Sequence, residues 1–194
     1  GVVTVMSGLM ILLHKKMGIN DRLLLQDAFN LNSLSGLVRF VKKVVIGTLV
    51  IEGIGALLYM TVFIPDFGQK GIWISIFTSV SAFCNAGIDI IAENSLCDYA
   101  LNPMVNTVTC LLIVIGGIGY IVWWDIIRVI KNIRQNKRKI FGNLTLHSKI
   151  AIISTLLLII VGAILVFVLE YDNPQTLKDY TLLQKIEVSF FQSV

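Results

Sequence analysis

Three apolar runs constrain this chain more than any other feature of its sequence. Val44–Ile64 has 21 residues and one charge, Glu52. Met104–Ile127 has one charge, Asp125, near its end, and Ile150–Leu169 has none in 20 residues. At 1.5 Å per residue, about 20 residues cover the roughly 30 Å hydrocarbon core of a bilayer. Each run is therefore long enough to cross. Composition agrees: 56% of the 194 residues are hydrophobic, only 14% are charged, and the mean hydropathy is +0.82. A soluble domain carries about 25% charged residues, and a disordered chain is poor in apolar ones. The expected class is an all-α integral membrane protein. A fourth run, Gly1–Leu13, is uncharged but too short to span, and no basic residues precede it as they would in a signal peptide. It reads as a short anchor or as the end of an inner helix.

The net charge of +4 becomes informative once it is split by side. Lys15, Lys16, Arg22, Arg39, Lys42 and Lys43 precede the Val44 span, and Arg128, Lys131, Arg134, Lys137, Arg138, Lys139 and Lys149 precede the Ile150 span. The remaining connections hold only Lys70, Lys178 and Lys185, so 13 basic residues fall on one side and 3 on the other. The positive-inside rule makes the first side cytoplasmic. Loops 14–43 and 128–149 are then inside; with Asp21, Asp27 and Asp125 counted the inner side sums to +10, and the outer side sums to −5. Basic residues this close to spans point to topology and contact with membrane lipids rather than to nucleic acid.

Between the second and third runs lies Ile72–Phe83, an apolar stretch carrying Ser75, Thr78, Ser79 and Ser81. As a helix it is roughly 18 Å long, too short to cross. Cys84-Asn85-Ala86-Gly87-Ile88-Asp89 follows, and Asn and Gly favour a turn. Both flanking spans require this segment to begin and end outside. A re-entrant helix that turns back at Asn85–Gly87 meets that requirement; a helix lying flat at the outer interface also does. In the re-entrant case the carbonyls of Cys84, Asn85, Ala86 and Gly87 lie at membrane depth, which is tolerated where they line a wet cavity. Rings of such carbonyls replace the hydration shell of a permeating cation. The helix aims its partial negative end the same way. Asp89, and Glu93 beyond it, fall at the outer mouth, where negative charge concentrates cations.

The sequence repeats itself. Val188-Ser189-Phe190-Phe191-Gln192-Ser193-Val194 matches Ile74-Ser75-Ile76-Phe77-Thr78-Ser79-Val80 at four of seven positions with an offset of 114. The expected unit is span, re-entrant helix, span. Residues 1–13 end the inner helix of a first unit, and 14–43 form a cytoplasmic connection. Residues 44–127 form a complete second unit: span 44–64, pore helix 72–83, filter 84–88 and span 104–127. After the connection 128–149, residues 150–194 begin a third, with span 150–169 and the start of a pore helix at 186–194. The partner of Gly87 would fall at position 201, so the chain reads as stopping inside a pore helix, a piece of a longer protein.

Other residues invite functional readings. Glu52 lies mid-span, where a charge is costly, and suits pairing in a helix interface or a transport role. Gly116, Gly117 and Gly119 permit close approach along a pore-lining or packing helix. Trp123 and Trp124 fit the inner aromatic belt and Trp73 the outer one. His14, His147, Cys84, Cys97 and Cys110 have no metal-ligand spacing, and no nucleophile–base or phosphate-binding motif is present. An enzyme is not expected.

Several segments carry a family resemblance. Ser81-Ala82-Phe83-Cys84-Asn85-Ala86-Gly87-Ile88-Asp89 resembles the second filter loop of the Trk/Ktr potassium transporters. Gly116-Gly117-Ile118-Gly119-Tyr120-Ile121-Val122-Trp123-Trp124-Asp125 looks like that family's following inner helix. Leu144–Lys149 is similar to the entry of its third repeat, and Ser189–Val194 to its third pore helix. Ser33–Arg39 points to the bacterial Ktr branch. The resemblance implies four span–pore-helix–span repeats around one pore in the bacterial plasma membrane. It implies K+ as the transported ion, Na+ as a candidate coupling or activating ion, and no organic cofactor in this chain. It also implies a homodimer attached to cytosolic nucleotide-binding regulatory subunits. Gly87 matches the single filter glycine of each repeat; Cys84 departs from the usual Asn. A second function class also fits the sequence, a non-conducting membrane scaffold that binds a soluble partner through its basic loops.

Overall fold

A computed structural model describes residues 37–91, 95–131 and 141–194. The run 1–13, the connection up to residue 36, Glu93 and the basic residues 134–139 lie outside the described residues. Among the described residues six α-helices follow in order: α1 (Leu37–Phe67), α2 (Lys70–Phe83), α3 (Pro103–Gly117), α4 (Tyr120–Lys131), α5 (Leu146–Glu170) and α6 (Leu182–Ser193). Short 3-10 turns occur at Cys97–Tyr99 and Phe141–Asn143, and there is no strand among the described residues. The chain divides into two compact units, 1–54 and 55–194. In the first, Val41 and Val44 are buried and Glu52 is half-buried. Helix α1 runs from the first unit into the second, and the contacts described below lie within the second.

Helices α1 and α5 are long and apolar enough to cross a membrane. Each extends beyond the run read from the sequence, because apolar composition marks the lipid-facing stretch while the backbone ladder continues past it. The helix expected at 72–83 starts two residues earlier, and the one expected at 186–194 begins at Leu182. Met104–Ile127 departs most from expectation. It is two helices, α3 and α4, that meet at 97°. Gly119 has φ +90°, a value L side chains rarely adopt, which breaks the helical path. The indole N–H of Trp123 donates to the Ile115 carbonyl at 2.9 Å and braces the bend.

Each helix end has a local cause. Gly68, at φ +59°, turns the chain out of α1, and α2 begins two residues later. A Cβ on Gly71 would collide with the backbone of Phe63, so the two helices meet closely at their linked ends. Asn102 caps α3 by accepting from the amides of Met104 (3.0 Å) and Val105 (3.2 Å), with Pro103 in the first turn. The Gln184 side chain accepts from the Thr181 amide at 2.9 Å and starts α6.

Two serine–glycine contacts seat the short helices on the long ones. Ser79 of α2 sits where a Cβ on Gly55 of α1 would be, at 2.5 Å from the serine oxygen. Ser193 of α6 likewise occupies the space beside Gly162 of α5, and its hydroxyl donates to the Ile159 carbonyl at 2.7 Å. Ser79 and Ser193 are equivalent at the 114-residue offset. Twice, then, a long helix offers a glycine to a serine on the short helix that follows. Helix α3 closes the first hairpin: the Tyr59 hydroxyl bonds the Thr109 hydroxyl at 2.6 Å, and Tyr59 stacks on Phe63 with both rings fully buried.

Asp125 joins α4 to the head of α5. It is 7% exposed and accepts from the Thr145 amide at 2.7 Å and the Thr145 hydroxyl at 2.9 Å, while Arg128 pairs with its other oxygen. Asp125→Ala is expected to destabilise the protein by about 2–3 kcal/mol, the worth of hydrogen bonds to a charged group. The measurement is a thermal melt of the detergent-solubilised full-length protein, and an unchanged midpoint would show the latch to be idle.

Candidate functional site

The segment singled out as the filter leaves the C-terminal end of α2. Three amides fold back in sequence. Cys84 N–H donates to the Val80 carbonyl at 2.9 Å, Asn85 N–H to Ala82 at 3.1 Å, and Ala86 N–H to Ser81 at 2.9 Å. The last two bonds, six-to-one and five-to-two, make a Schellman motif with Asn85 at the left-handed position, φ +52°. Asn tolerates that conformation better than most residues. The sequence signal was present, an Asn just past an apolar run, and it marks the stop of the helix.

Gly87 has φ +65°, and a Cβ there would meet nothing within 4 Å. It is required for its backbone angle, not for space. Ile88 then returns to the helix: its N–H donates to the Ser81 hydroxyl at 2.9 Å, and that hydroxyl donates to the Ile88 carbonyl at 2.5 Å. Cys84, Asn85, Ala86 and Gly87 are all exposed.

The directions of the amides determine the directions of the carbonyls. A trans peptide holds N–H and C=O on opposite sides of one plane, and no described peptide is cis. The N–H groups of Asn85, Ala86 and Ile88 face α2, so the carbonyls of Cys84, Asn85 and Gly87, which share those planes, face away from it. The helix end behind them carries partial negative charge.

The flanking residues assume defined places. With its nitrogen toward them, the Asn85 amide donates to the carbonyls of Ala82 (3.1 Å) and Ile113 (3.3 Å), tying the loop to α3. A Cβ on Gly116 would fall on the Phe83 carbonyl, and one on Gly117 would lie 3.1 Å from the Asn85 amide. Gly116 and Gly117 therefore bring α3 against the end of α2, and Gly119 makes the bend below. Asp89 is half-buried, and its carboxylate accepts from Ile91 N–H at 3.3 Å and from the Ser95 hydroxyl. Farther out, the Tyr99 hydroxyl donates to Asp66 at 2.7 Å. Desolvation, then that carboxylate, push the phenol up to about 12.

Beside the loop is a cavity of about 820 Å³, bounded by Thr78, Ser81, Gly87 and Asp89 on one side and by Phe191 and Gln192 of α6 on the other. The loop after α2 and the short helix α6 thus face one space. Among the described residues no group of three His, Cys, Asp or Glu side chains is placed to hold a metal ion. The three cysteines are free thiols, with Cys84 and Cys97 exposed and Cys110 buried. Sequence reasoning did not single out the Ser81 clamp, the Trp123 brace or the Asp125 latch, because each joins residues whose proximity depends on the fold.

Residues 2–194 match the family model TrkH, cation transport protein. The chain belongs to the TrkH family. This TrkH chain is 40% identical over 181 residues to the potassium/sodium uptake protein NtpJ of Enterococcus hirae, covering 93% of this chain and 38% of that protein. It is 34% identical over 195 residues to the Ktr system potassium uptake protein B of Bacillus subtilis, covering 100% of this chain and 42% of that protein. The Ktr system potassium uptake protein B of Vibrio alginolyticus is 32% identical over 194 residues, with 100% and 41% covered. The chain thus spans about two-fifths of the length of these relatives. The matches agree with the Trk/Ktr resemblance of the filter loop and of the helices around it.

Proposed function

We propose that this chain forms part of a K+-uptake pore, with the backbone of Cys84, Asn85, Ala86 and Gly87 as one quarter of a carbonyl-lined selectivity filter. The observation that carries this reading is that the Cys84, Asn85 and Gly87 carbonyls each face away from α2, at the end of a short helix too brief to span. Carbonyl oxygens so presented replace water around a cation, and the helix end adds favourable potential. The relatives named for potassium uptake support K+ as the ion, and the one named for potassium and sodium supports a role for Na+. Asp89 stands at the outer mouth with its carboxylate held in place. Gly116, Gly117 and Gly119 shape the helix behind the filter.

In this reading the protein is a multi-pass protein of the bacterial plasma membrane with loops 14–43 and 128–149 in the cytoplasm, which the charge split supports. A homodimer with cytosolic nucleotide-binding regulatory subunits on those loops completes the reading. The test is Gly87→Ser in the full-length protein, expressed in a bacterium lacking its own K+ uptake. Loss of K+-over-Na+ preference is expected. Unchanged preference would favour a non-conducting scaffold whose short helix lies outside.

A further inference from the structure

We infer that Ser81 is a specificity-determining positioning residue, whose hydroxyl aims the Gly87 carbonyl into the filter. The inference rests on the proposed function and concerns how the same loop is held.

A serine inside a helix commonly returns its hydroxyl to the carbonyl four residues earlier. Ser75 does so, donating to Gly71 at 2.7 Å. Ser81, six residues later on the same helix, instead reaches out of the helix to Ile88. Its hydroxyl donates to the Ile88 carbonyl at 2.5 Å and accepts from the Ile88 N–H at 2.9 Å, so one side chain satisfies both backbone groups of one loop residue. Its own backbone carbonyl takes the Ala86 N–H at 2.9 Å. Ser81 therefore fixes the loop at two points, one on each side of Gly87. Ser81 itself is 8% exposed, so it is held on α2 while its hydroxyl reaches the exposed Ile88.

The consequence lies in the peptide between Gly87 and Ile88. Its N–H points at the Ser81 oxygen, so its C=O, which belongs to Gly87, points the opposite way. Gly87 has no side chain to anchor it and open space where a Cβ would be. Packing at that residue cannot hold the peptide plane; the bond from Ser81 can. Without the hydroxyl the plane is free to rotate, and the Gly87 oxygen loses its fixed place. An ion is discriminated by the number and placement of such oxygens. A small rotation therefore affects the choice between K+ and Na+ before it affects folding.

The experiment compares Ser81→Ala, Ser81→Thr and Gly87→Ser in the full-length protein, in cells lacking other K+ uptake. K+ and Na+ uptake are measured alongside the amount of protein in the membrane. Ser81→Ala is expected to raise the KM for K+ and lower the K+-over-Na+ ratio by about tenfold, the equivalent of the one or two hydrogen bonds lost. Protein abundance should remain near that of the parent. Ser81→Thr keeps the hydroxyl and should retain most of the ratio. A parental ratio in Ser81→Ala, with or without lower abundance, would leave Ser81 a purely structural residue and overturn the inference. Equal losses in Ser81→Ala and Ser81→Thr would overturn it too, since the hydroxyl would not be the cause. A parental ratio in Gly87→Ser would instead reject the filter reading itself.

Discussion

Gly87→Ser in the full-length transporter should reduce K+-over-Na+ preference by about tenfold, since a left-handed backbone costs a residue with a Cβ roughly 1–2 kcal/mol. The physical cause is the φ of +65°, not crowding, because no atom lies within 4 Å of the position a Cβ would take. To relieve the strain, the loop must rotate the peptide that carries the Gly87 carbonyl. A graded series separates the two causes. Asn tolerates a positive φ better than other residues, and it already does so at Asn85, φ +52°. Gly87→Asn should therefore keep more selectivity than Gly87→Ser, and Gly87→Val should keep least. The readout is the ratio of K+ to Na+ uptake at matched membrane abundance. Equal losses in Asn and Val variants would show that backbone angle is not the controlling factor.

Gly116→Ala is expected to prevent accumulation of folded transporter. A methyl group there would overlap the carbonyl oxygen of Phe83, with the Phe83 carbonyl carbon at 2.9 Å and its Cα at 3.3 Å. These are backbone atoms of the last turn of α2, so no rotamer change makes room. Helix α3 would have to move off α2, carrying Ile113 away from the Asn85 amide. Overpacking a close contact costs about 1–3 kcal/mol and more where backbone must shift. Gly117→Ala makes a useful contrast, because its Cβ would meet only the end of the Asn85 side chain at 3.1 Å. It should be tolerated far better. Membrane abundance and the thermal midpoint of the solubilised protein distinguish the two, and a Gly116→Ala protein as stable as its parent would refute the close approach.

Much of this was legible in the sequence because it depends on one-dimensional quantities. The apolar runs gave the long helices α1 and α5. The shortness of Ile72–Phe83 and the Asn-Ala-Gly that follows it marked a helix that stops. The 114-residue offset pairs Ser79 with Ser193, but it does not pair the glycines they meet, Gly55 and Gly162, which only the packing brings to them. The division of Met104–Ile127 was not legible. Hydropathy sums over residues and does not register a single glycine at φ +90° that turns the helix by 97°.

The glycines show the same limit. Gly87, Gly116 and Gly119 are alike as letters, yet one is required for its backbone angle, one for a close helix contact and one for a bend. The sequence by itself determined the membrane class, the order of helices and the uneven spread of charge along the chain, because these follow from composition and spacing. Only the tertiary structure decided that Ser81 clamps Ile88, that Gly116 seats α3 on Phe83 and that Asp125 latches α4 to α5. Hydrogen bonds and close contacts act over about 3 Å and depend on direction, so they exist only once the fold has brought their partners together.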